Sequence, residues 1–378
     1  MRITIDARMM GAANTRGIGR YLEEIIRAMI ELNPGNEYDL LERNPHASPF
    51  LGHPSVTHVA ADVPWYGLAE QFKLPELIRA THPDLLFVPH WNVPIFDRTP
   101  RIVFIHDLIL LEEPQSVNVT TRGPVVSGLK RLGYRIALRN ALTRSKAILV
   151  PTDFVKEWIQ KRFPNLQTPI VVTGEGMPNS DTSLWQDPNQ EHPYFLMVGS
   201  AYPHKNHAAV IEAWKVIQER HPGVILKIVG SKDAFMNRLE SMVRDSGLTQ
   251  VEFAGAVSDE SLRTLYAESL ALIFPSRWEG FGLPPLEALA HGTAVLSSNA
   301  ACMSEVLGNE GIIYFKPDRT DDIVRAVETV LQNPMGVRVK AREVIPKLRE
   351  RHDWRLAAER TLGAFEATVR RPLHAGRD

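Results

Sequence analysis

The sequence predicts an α/β chain with two doubly wound, parallel-sheet, Rossmann-like domains facing a cleft. Three observations predict it. Short, almost continuously apolar runs alternate with longer segments of helical period, the pattern of parallel strands covered on both faces. The alternation stops over residues 173–193, where Gly174, Gly176, Pro178, Asn179, Pro188 and Pro193 interrupt a polar stretch without period, and then restarts. The chain has 378 residues, and at roughly 150 residues per domain that supplies two sizeable cores.

In chain order, the first half offers strands at Ile3–Ile5, Tyr38–Leu41, Val56–Val59, Leu85–Val88, Ile102–Ile105, Ile148–Val150 and Ile170–Val172. Helical pattern fills intervals between them, including Arg20–Leu32 and Val125–Ala141. The second half reads Tyr194–Val198, helix 206–220, Ile225–Val229, helix 233–246, Val251–Phe253 and helix 259–269. Ala271–Phe274, helix 284–291, Ala294–Ser297, Ile312–Phe315 and helix 320–332 follow, and a final helix covers about 354–370. The domains are therefore 1–175 and 190–353. Parallel crossovers are right-handed, and ligands of such sheets bind beyond the carboxyl ends of the strands.

Composition narrows the function. Basic residues number 43 and acidic residues 44, a net charge of −1, so no basic module supports nucleic-acid binding. One cysteine, Cys302, excludes an internal disulfide and reads as a small buried side chain. A charge at Asp6 precedes any apolar stretch, and no run approaches the ~20 residues that cross a bilayer. The expectation is a cytoplasmic chain, peripheral at most to the inner face of a membrane.

The strand-end loops carry the chemistry. After Ala271–Phe274 comes Pro275-Ser-Arg-Trp-Glu279-Gly280-Phe281-Gly282-Leu283-Pro284-Pro285-Leu-Glu287. Its glycines permit close backbone approach, prolines suit a first helical turn, and a helix start offers N–H groups to an anion. Glu279 and Glu287 then serve sugar or ribose hydroxyls; the plainer alternative is a glycine turn with two solvated glutamates. Gly199-Ser-Ala-Tyr-Pro-His204-Lys205 follows the strand at 194–198, and a lysine there can neutralise a diphosphate. A third loop, Phe253-Ala-Gly255-Ala-Val257, could read a base edge with its backbone. In the first half His106-Asp107 follows a strand end, where an imidazole beside a carboxylate can polarise a reacting group or merely cap a turn. Gly17-Ile18-Gly19 reads as a flexible acceptor-side loop before helix 20–32, and its missing third glycine argues against a dinucleotide fingerprint.

Together Glu279-x7-Glu287 around Gly280-Phe281-Gly282-Leu283-Pro284, Lys205, Phe253-x-Gly255-x-Val257 and His106-Asp107 resemble glycosyltransferase family four. These are retaining enzymes of the two-domain GT-B fold. The opening Ile-Asp-Ala-Arg, Gly-Ile-Gly-Arg-Tyr and Pro-His-Lys-Asn look most like bacterial polysaccharide mannosyltransferases. The resemblance implies that Lys205 binds the donor diphosphate, with backbone N–H groups near Phe281 and Gly282 completing the site. Glu279 would hold hydroxyls of the transferred sugar, Glu287 the ribose, and Val257 would face the base. His106 would sit over the sugar, Gly17 and Gly19 on the acceptor side, and the last helix would return to the first domain. Gly199 and Leu283 complete the donor set. Where relatives carry an arginine, this chain has His204 and Ser200, so a protonated His204 is expected to help Lys205. The donor implied is GDP-mannose, with a UDP-sugar as the alternative, and no metal or other cofactor is expected.

Acceptor recognition has weaker signals. Trp65-Tyr66 and His90-Trp91-Asn92 offer stacking and hydrogen bonding, with core aromatics as the competing role. From Pro114 to Thr152 there is no acidic residue but seven basic ones, Arg122, Lys130, Arg131, Arg135, Arg139, Arg144 and Lys146. Val126, Leu129, Leu132 and Ile136 recur at near-helical spacing among them. Segment 122–146 is thus a candidate surface for anionic lipid, next to a saccharide or lipid-linked acceptor. A phosphorylase, an epimerase or a non-catalytic sugar-nucleotide-binding protein are the rival readings.

Overall fold

A computed structural model describes residues 1–11, 16–113, 124–179, 185, 187–188 and 191–370, without the side chains of 16, 68 and 124–131. Two units emerge: Met1–Asp107, Thr120–Gly176 and His352–Asp378 form one, Leu108–Val119 and Met177–Arg351 the other.

The elements run β1 (Arg2–Asp6), α1 (Arg16–Leu32), β2 (Glu37–Glu42), β3 (Val56–Ala60), α2 (Leu68–Ala80), β4 (Leu85–Val88), β5 (Arg101–Phe104) and α3 (Ile109–Glu112). Next come α4 (Pro124–Arg144), β6 (Ala147–Val150), α5 (Asp153–Arg162), β7 (Ile170–Val172), β8 (Tyr194–Val198), α6 (His207–Arg220), β9 (Ile225–Val229), α7 (Ala234–Asp245) and β10 (Val251–Gly255). The chain continues with α8 (Asp259–Glu268), β11 (Ala271–Phe274), α9 (Leu283–Ala290), β12 (Ala294–Ser298), α10 (Met303–Leu307), β13 (Ile312–Phe315) and α11 (Thr320–Gln332). It ends with α12 (Pro334–Glu343), α13 (Ile345–Arg351) and α14 (Trp354–Arg370).

The first unit holds a sheet in the order β3-β2-β1-β4-β5-β6-β7, the second β10-β9-β8-β11-β12-β13. Every pairing is parallel. Several of the runs that predict strands are buried throughout, among them β4, β5, β6 and β11, while β3 and β10 at the sheet edges carry exposed residues. Side-chain oxygens satisfy the first turns of several helices, Thr152 for α5, Asp233 for α7 and Ser258 for α8.

The first core joins Ile3, Ile5 and Phe87 to Tyr21, Ile25 and Met29 of α1 and to Ala358, Leu362 and Phe365 of α14. Phe365 lies 5.2 Å from Phe87, ring to ring. The last helix thus belongs to the first unit's core. Trp354 at its start lies against Gly176, where a Cβ would come within 2.3 Å of the indole.

One expectation changes. Gly17 and Gly19 lie in the first turn of α1 rather than in a loop before it. Gly19 is buried there, and a Cβ on it would meet the Met9 carbonyl at 2.7 Å; Gly17 has open space around it. The turn at Ala7–Met10 packs onto this helix start, which requires a small residue at 19 and lets the helix begin four residues earlier than its apolar period. Among the described residues no helix is long and apolar enough to cross a membrane.

Candidate functional site

In each sheet the strand order reverses at one point, β8/β11 in the second unit and β1/β4 in the first. That is where ligands of open α/β sheets bind.

In the second unit, Pro203–Lys205 form a 3-10 turn after β8, ended by Asn206 at φ +57°. The Arg277 amide donates to the His204 carbonyl at 2.8 Å, joining this turn to the loop after β11. Lys205 Nζ consequently donates to Glu279 Oε1 at 2.6 Å and lies 5.6 Å from the Phe274 ring centre. The lysine side chain is 20% exposed and the glutamate 9%, so the ion pair is partly desolvated yet reachable. Gly282 precedes α9 at φ +88°, and a Cβ there would lie 2.7 Å from Met303 Cε. Pro284 and Pro285 carry no N–H, so the donors at this helix start end with Leu283. Gly280 and Phe281 are buried in the same loop.

Cys302 lies beneath that loop with no exposed surface, and its thiol donates to the Glu279 carbonyl at 3.3 Å and that of Phe281 at 3.6 Å. Glu287, on α9, is buried and accepts from the Tyr266 hydroxyl at 2.9 Å. Gly199, at φ +131°, follows β8; its carbonyl lies 2.2 Å from where a Cβ on Gly230 would sit, so the residue after β9 must be glycine. Gly255, at φ +69°, bulges out of β10, and the half-buried Val257 follows it.

His204 overturns an expectation. It is 7% exposed, and burial together with Lys205 pushes its pKa down to about 4. It is neutral at neutral pH and leaves Lys205 as the cation of this turn. His207, at the start of α6, is held down to about 3 by burial, then by Lys205.

In the first unit, the carboxylate holding His106 is Glu175, 69 residues away, at 3.0 Å from Nδ1. A carboxylate only accepts, so Nδ1 carries a hydrogen and donates it to Glu175. The ring packs on Phe104 at 4.4 Å and edge-on to Tyr21 at 4.9 Å. Its Nε2 is buried and makes no hydrogen bond among the described residues. Glu175 falls in the stretch read as an interdomain linker, where nothing in composition distinguishes it.

A buried charge network lies at the β1/β4 switch point. Arg8 is 1% exposed and grips Asp6 with two donors, at 2.8 and 2.7 Å, and Glu70 at 2.7 Å. Glu70, with no exposed surface, also accepts from Asn92 Nδ2 at 2.7 Å and from the Tyr66 amide at 2.8 Å. Asn92 is buried and donates through Nδ2 to Glu70. Trp91 remains half-buried, stacked on Tyr66 at 5.5 Å and edge-on to Tyr134 at 4.5 Å. Burial, then His106, pushes His90 down to about 3. Asp6-x-Arg8 after the first strand was visible in the sequence; Glu70 looks like any helical glutamate.

On α4, Leu132 and Ile136 are 55% and 48% exposed, alongside exposed Arg135 and Arg139, while Ala137, Leu138, Ala141 and Leu142 are buried. Arg122 and the side chains of Val126, Leu129, Lys130 and Arg131 lie outside the described residues. Among the described residues no three His, Cys, Asp or Glu side chains are grouped to hold a metal ion.

This arrangement has known counterparts. Residues 15–180 match the model of Glycosyltransferase Family 4, and residues 184–351 that of Glycosyl transferases group 1. The O-antigen chain mannosyltransferase RfbU of Salmonella typhimurium is 30% identical over 72% of this chain and 72% of its own. The O-antigen chain mannosyltransferase B of Escherichia coli is 26% identical over 61% of this chain and 63% of its own, so less than two thirds of that relative is spanned. Among solved structures, a sucrose-phosphate synthase from Thermosynechococcus elongatus superposes with a TM-score of 0.72 over 97% of this chain and 98% of its own, at 18% identity. Anabaena HepE in complex with UDP and glucose gives 0.71 over 97% and 100%, at 14% identity. With two parallel-sheet units, the GT-B fold and these relatives, the chain belongs to glycosyltransferase family four and is a glycosyltransferase.

Proposed function

We propose that the enzyme moves mannose from GDP-mannose onto a saccharide or lipid-linked saccharide acceptor in polysaccharide biosynthesis, with retention at the transferred carbon. The observation that carries this is the Lys205–Glu279 pair at the β8/β11 switch point, beside the glycine loop that opens α9. The naming of the relatives as O-antigen chain mannosyltransferases supports the sugar and the pathway class.

Departure of the nucleoside diphosphate puts charge on its phosphate oxygens. The Lys205 ammonium and the N–H groups up to Leu283 answer that charge. Glu279 accepts from hydroxyls of the transferred sugar, and Glu287, steadied by Tyr266, from the ribose. Val257 faces the base, with Gly199 and Gly255 keeping side chains off the nucleotide. The sugar C1–O bond to phosphate breaks, the acceptor oxygen bonds to C1 on the same face, and the leaving phosphate takes the acceptor's proton. His106, oriented by Glu175, and Asp107 beside it are the first unit's catalytic groups in this reading. No resident metal takes part. Gly17 and Trp91 serve the acceptor side, Gly19 by letting α1 begin where it does. Exposed Leu132 and Ile136 beside Arg135 and Arg139 support a peripheral contact of α4 with anionic lipid at the inner face of the cell membrane. Co-sedimentation with anionic vesicles at low salt tests that contact, and its absence removes it.

Thermal shift against nucleotides tests the donor. GDP raises the melting temperature and UDP does not; the reverse result transfers the reading to a UDP-sugar, and no shift with either rejects the donor site.

A further inference from the structure

Tyr66 stands out on three independent counts. It is an aromatic residue at φ +61°, the left-handed region that bulky side chains avoid. The residue is 63% exposed, so little packing offsets that strain. And its backbone is fastened from below: the Tyr66 amide donates at 2.8 Å to Glu70, a carboxylate with no exposed surface that Arg8 and Asn92 also grip. A buried ion-pair network therefore holds one strained residue so that its ring faces outward. Backbone strain of this kind persists where surrounding structure over-determines it, and it clusters at functional sites.

We infer that Tyr66, stacked on Trp91, is the platform on which a pyranose ring of the acceptor saccharide lies. The two rings lie 5.5 Å apart at 30°, and Tyr134 braces Trp91 edge-on at 4.5 Å. The outer face of Tyr66 offers a flat apolar surface to the C–H face of a sugar. Burial, then charges that include Asp107, push up the pKa of the Tyr66 and Tyr134 hydroxyls, so a carboxylate lies within electrostatic reach of the pair. An exposed flat aromatic face with a carboxylate in electrostatic reach suits a carbohydrate, where a lipid tail would need no carboxylate. The cluster sits at the carboxyl edge of the first sheet, at its switch point. The inference rests on the acceptor half of the proposed function and is independent of which nucleotide the donor carries.

The test compares Tyr66→Asn and Tyr66→Phe with the parent. The probes are methyl glycosides of mannose, galactose, glucose, rhamnose and N-acetylglucosamine, followed by saturation-transfer NMR, with donor hydrolysis and the GDP thermal shift measured alongside. The parent binds at least one glycoside, Tyr66→Phe keeps that binding, and Tyr66→Asn weakens it about tenfold, the size expected for one lost aromatic stacking surface. Donor hydrolysis and the GDP shift stay at parental values in both variants. Asparagine tolerates the left-handed backbone, so Tyr66→Asn melts at or above the parent temperature. A drop in melting temperature identifies a packing role and overturns the inference. So does unchanged glycoside binding in Tyr66→Asn, or failure of every glycoside to bind the parent. A missing GDP shift in the parent strikes the donor reading alone, and the glycoside titration still decides the role of Tyr66.

Discussion

Replacing Lys205 and Glu279 singly and together separates what the pair does for stability from what it does for turnover. At 2.6 Å, two unit charges in an effective dielectric of about 20 attract by about 6 kcal/mol, before desolvation is subtracted. Removing one member of a buried pair costs about 3–5 kcal/mol because the other charge is left uncompensated. With 20% and 9% of the two side chains exposed, solvent screens part of that cost, and about 3 kcal/mol is expected for Lys205→Met. For a folding unit of this size that lowers the melting temperature by roughly 6–12 °C. Lys205→Met/Glu279→Leu removes both charges and recovers most of the loss, so stabilities in the cycle are far from additive.

Turnover behaves differently. Loss of one preorganised donor at a developing anion lowers it about 10²–10³-fold. The double variant recovers stability and none of the turnover, since residues that act as a unit fail together. Thermal melts and steady-state transfer rates on the four proteins complete the cycle. Additive stability losses would show that the 2.6 Å contact carries no coupling. Near-parental turnover in Lys205→Met would remove the ammonium from the chemistry.

Two further outcomes are expected. Glu175→Leu frees Nδ1 of His106 and lowers kcat roughly tenfold to a hundredfold, the usual loss when the group orienting a functional histidine is removed. Glu175→Gln can still accept the Nδ1 hydrogen and stays close to the parent; equal losses in both variants, or a loss in donor KM alone, would contradict the positioning role. On acidification, His204 and His207 stay neutral in the folded chain, down to about 4 and about 3, while the unfolded chain protonates near 6.5. The unfolded state thus binds more protons in that window, so stability is full above about pH 6.5 and falls as pH drops toward 4, by about 2 kcal/mol per histidine at pH 5. Denaturant melts at pH 7 and pH 5 measure the slope, and His204→Gln reduces it; a flat profile would mean that the folded chain protonates these rings.

The strands were legible because burial on both faces leaves a mark in one dimension: β4, β6 and β11 are unbroken apolar runs, and β8 begins and ends where its apolar run does. Helix starts were less so. Gly17 and Gly19 lower helical propensity, and only the packing of Gly19 against the Met9 carbonyl explains why the helix tolerates them. Short α10, α12 and α13 are held by packing on their neighbours and lack a period strong enough to stand out. In the site, each loop could be placed after its strand, but which loops meet depends on strand order. Lys205 and Glu279 are 74 residues apart and touch because β8 and β11 are neighbours at the reversal point.

Direction and depth of a side chain are what a linear pattern conceals, and both sheets display the consequence. Asn92 and His204 sit in the loops where ligand contacts belong, and both are buried: one amide donates to Glu70, and one imidazole is kept neutral. Glu175 and Cys302, by contrast, looked like a linker residue and a core filler, yet one fastens His106 and the other fastens the Glu279 loop. The physical reason is common to both. A loop that exposes functional groups at a sheet edge leaves backbone and side-chain polar atoms beneath them cut off from water, and each of those must find a partner. The residues that supply these partners come from wherever the fold brings a donor or acceptor within reach. They are therefore scattered in sequence, while the groups they hold in place stay clustered after the strands.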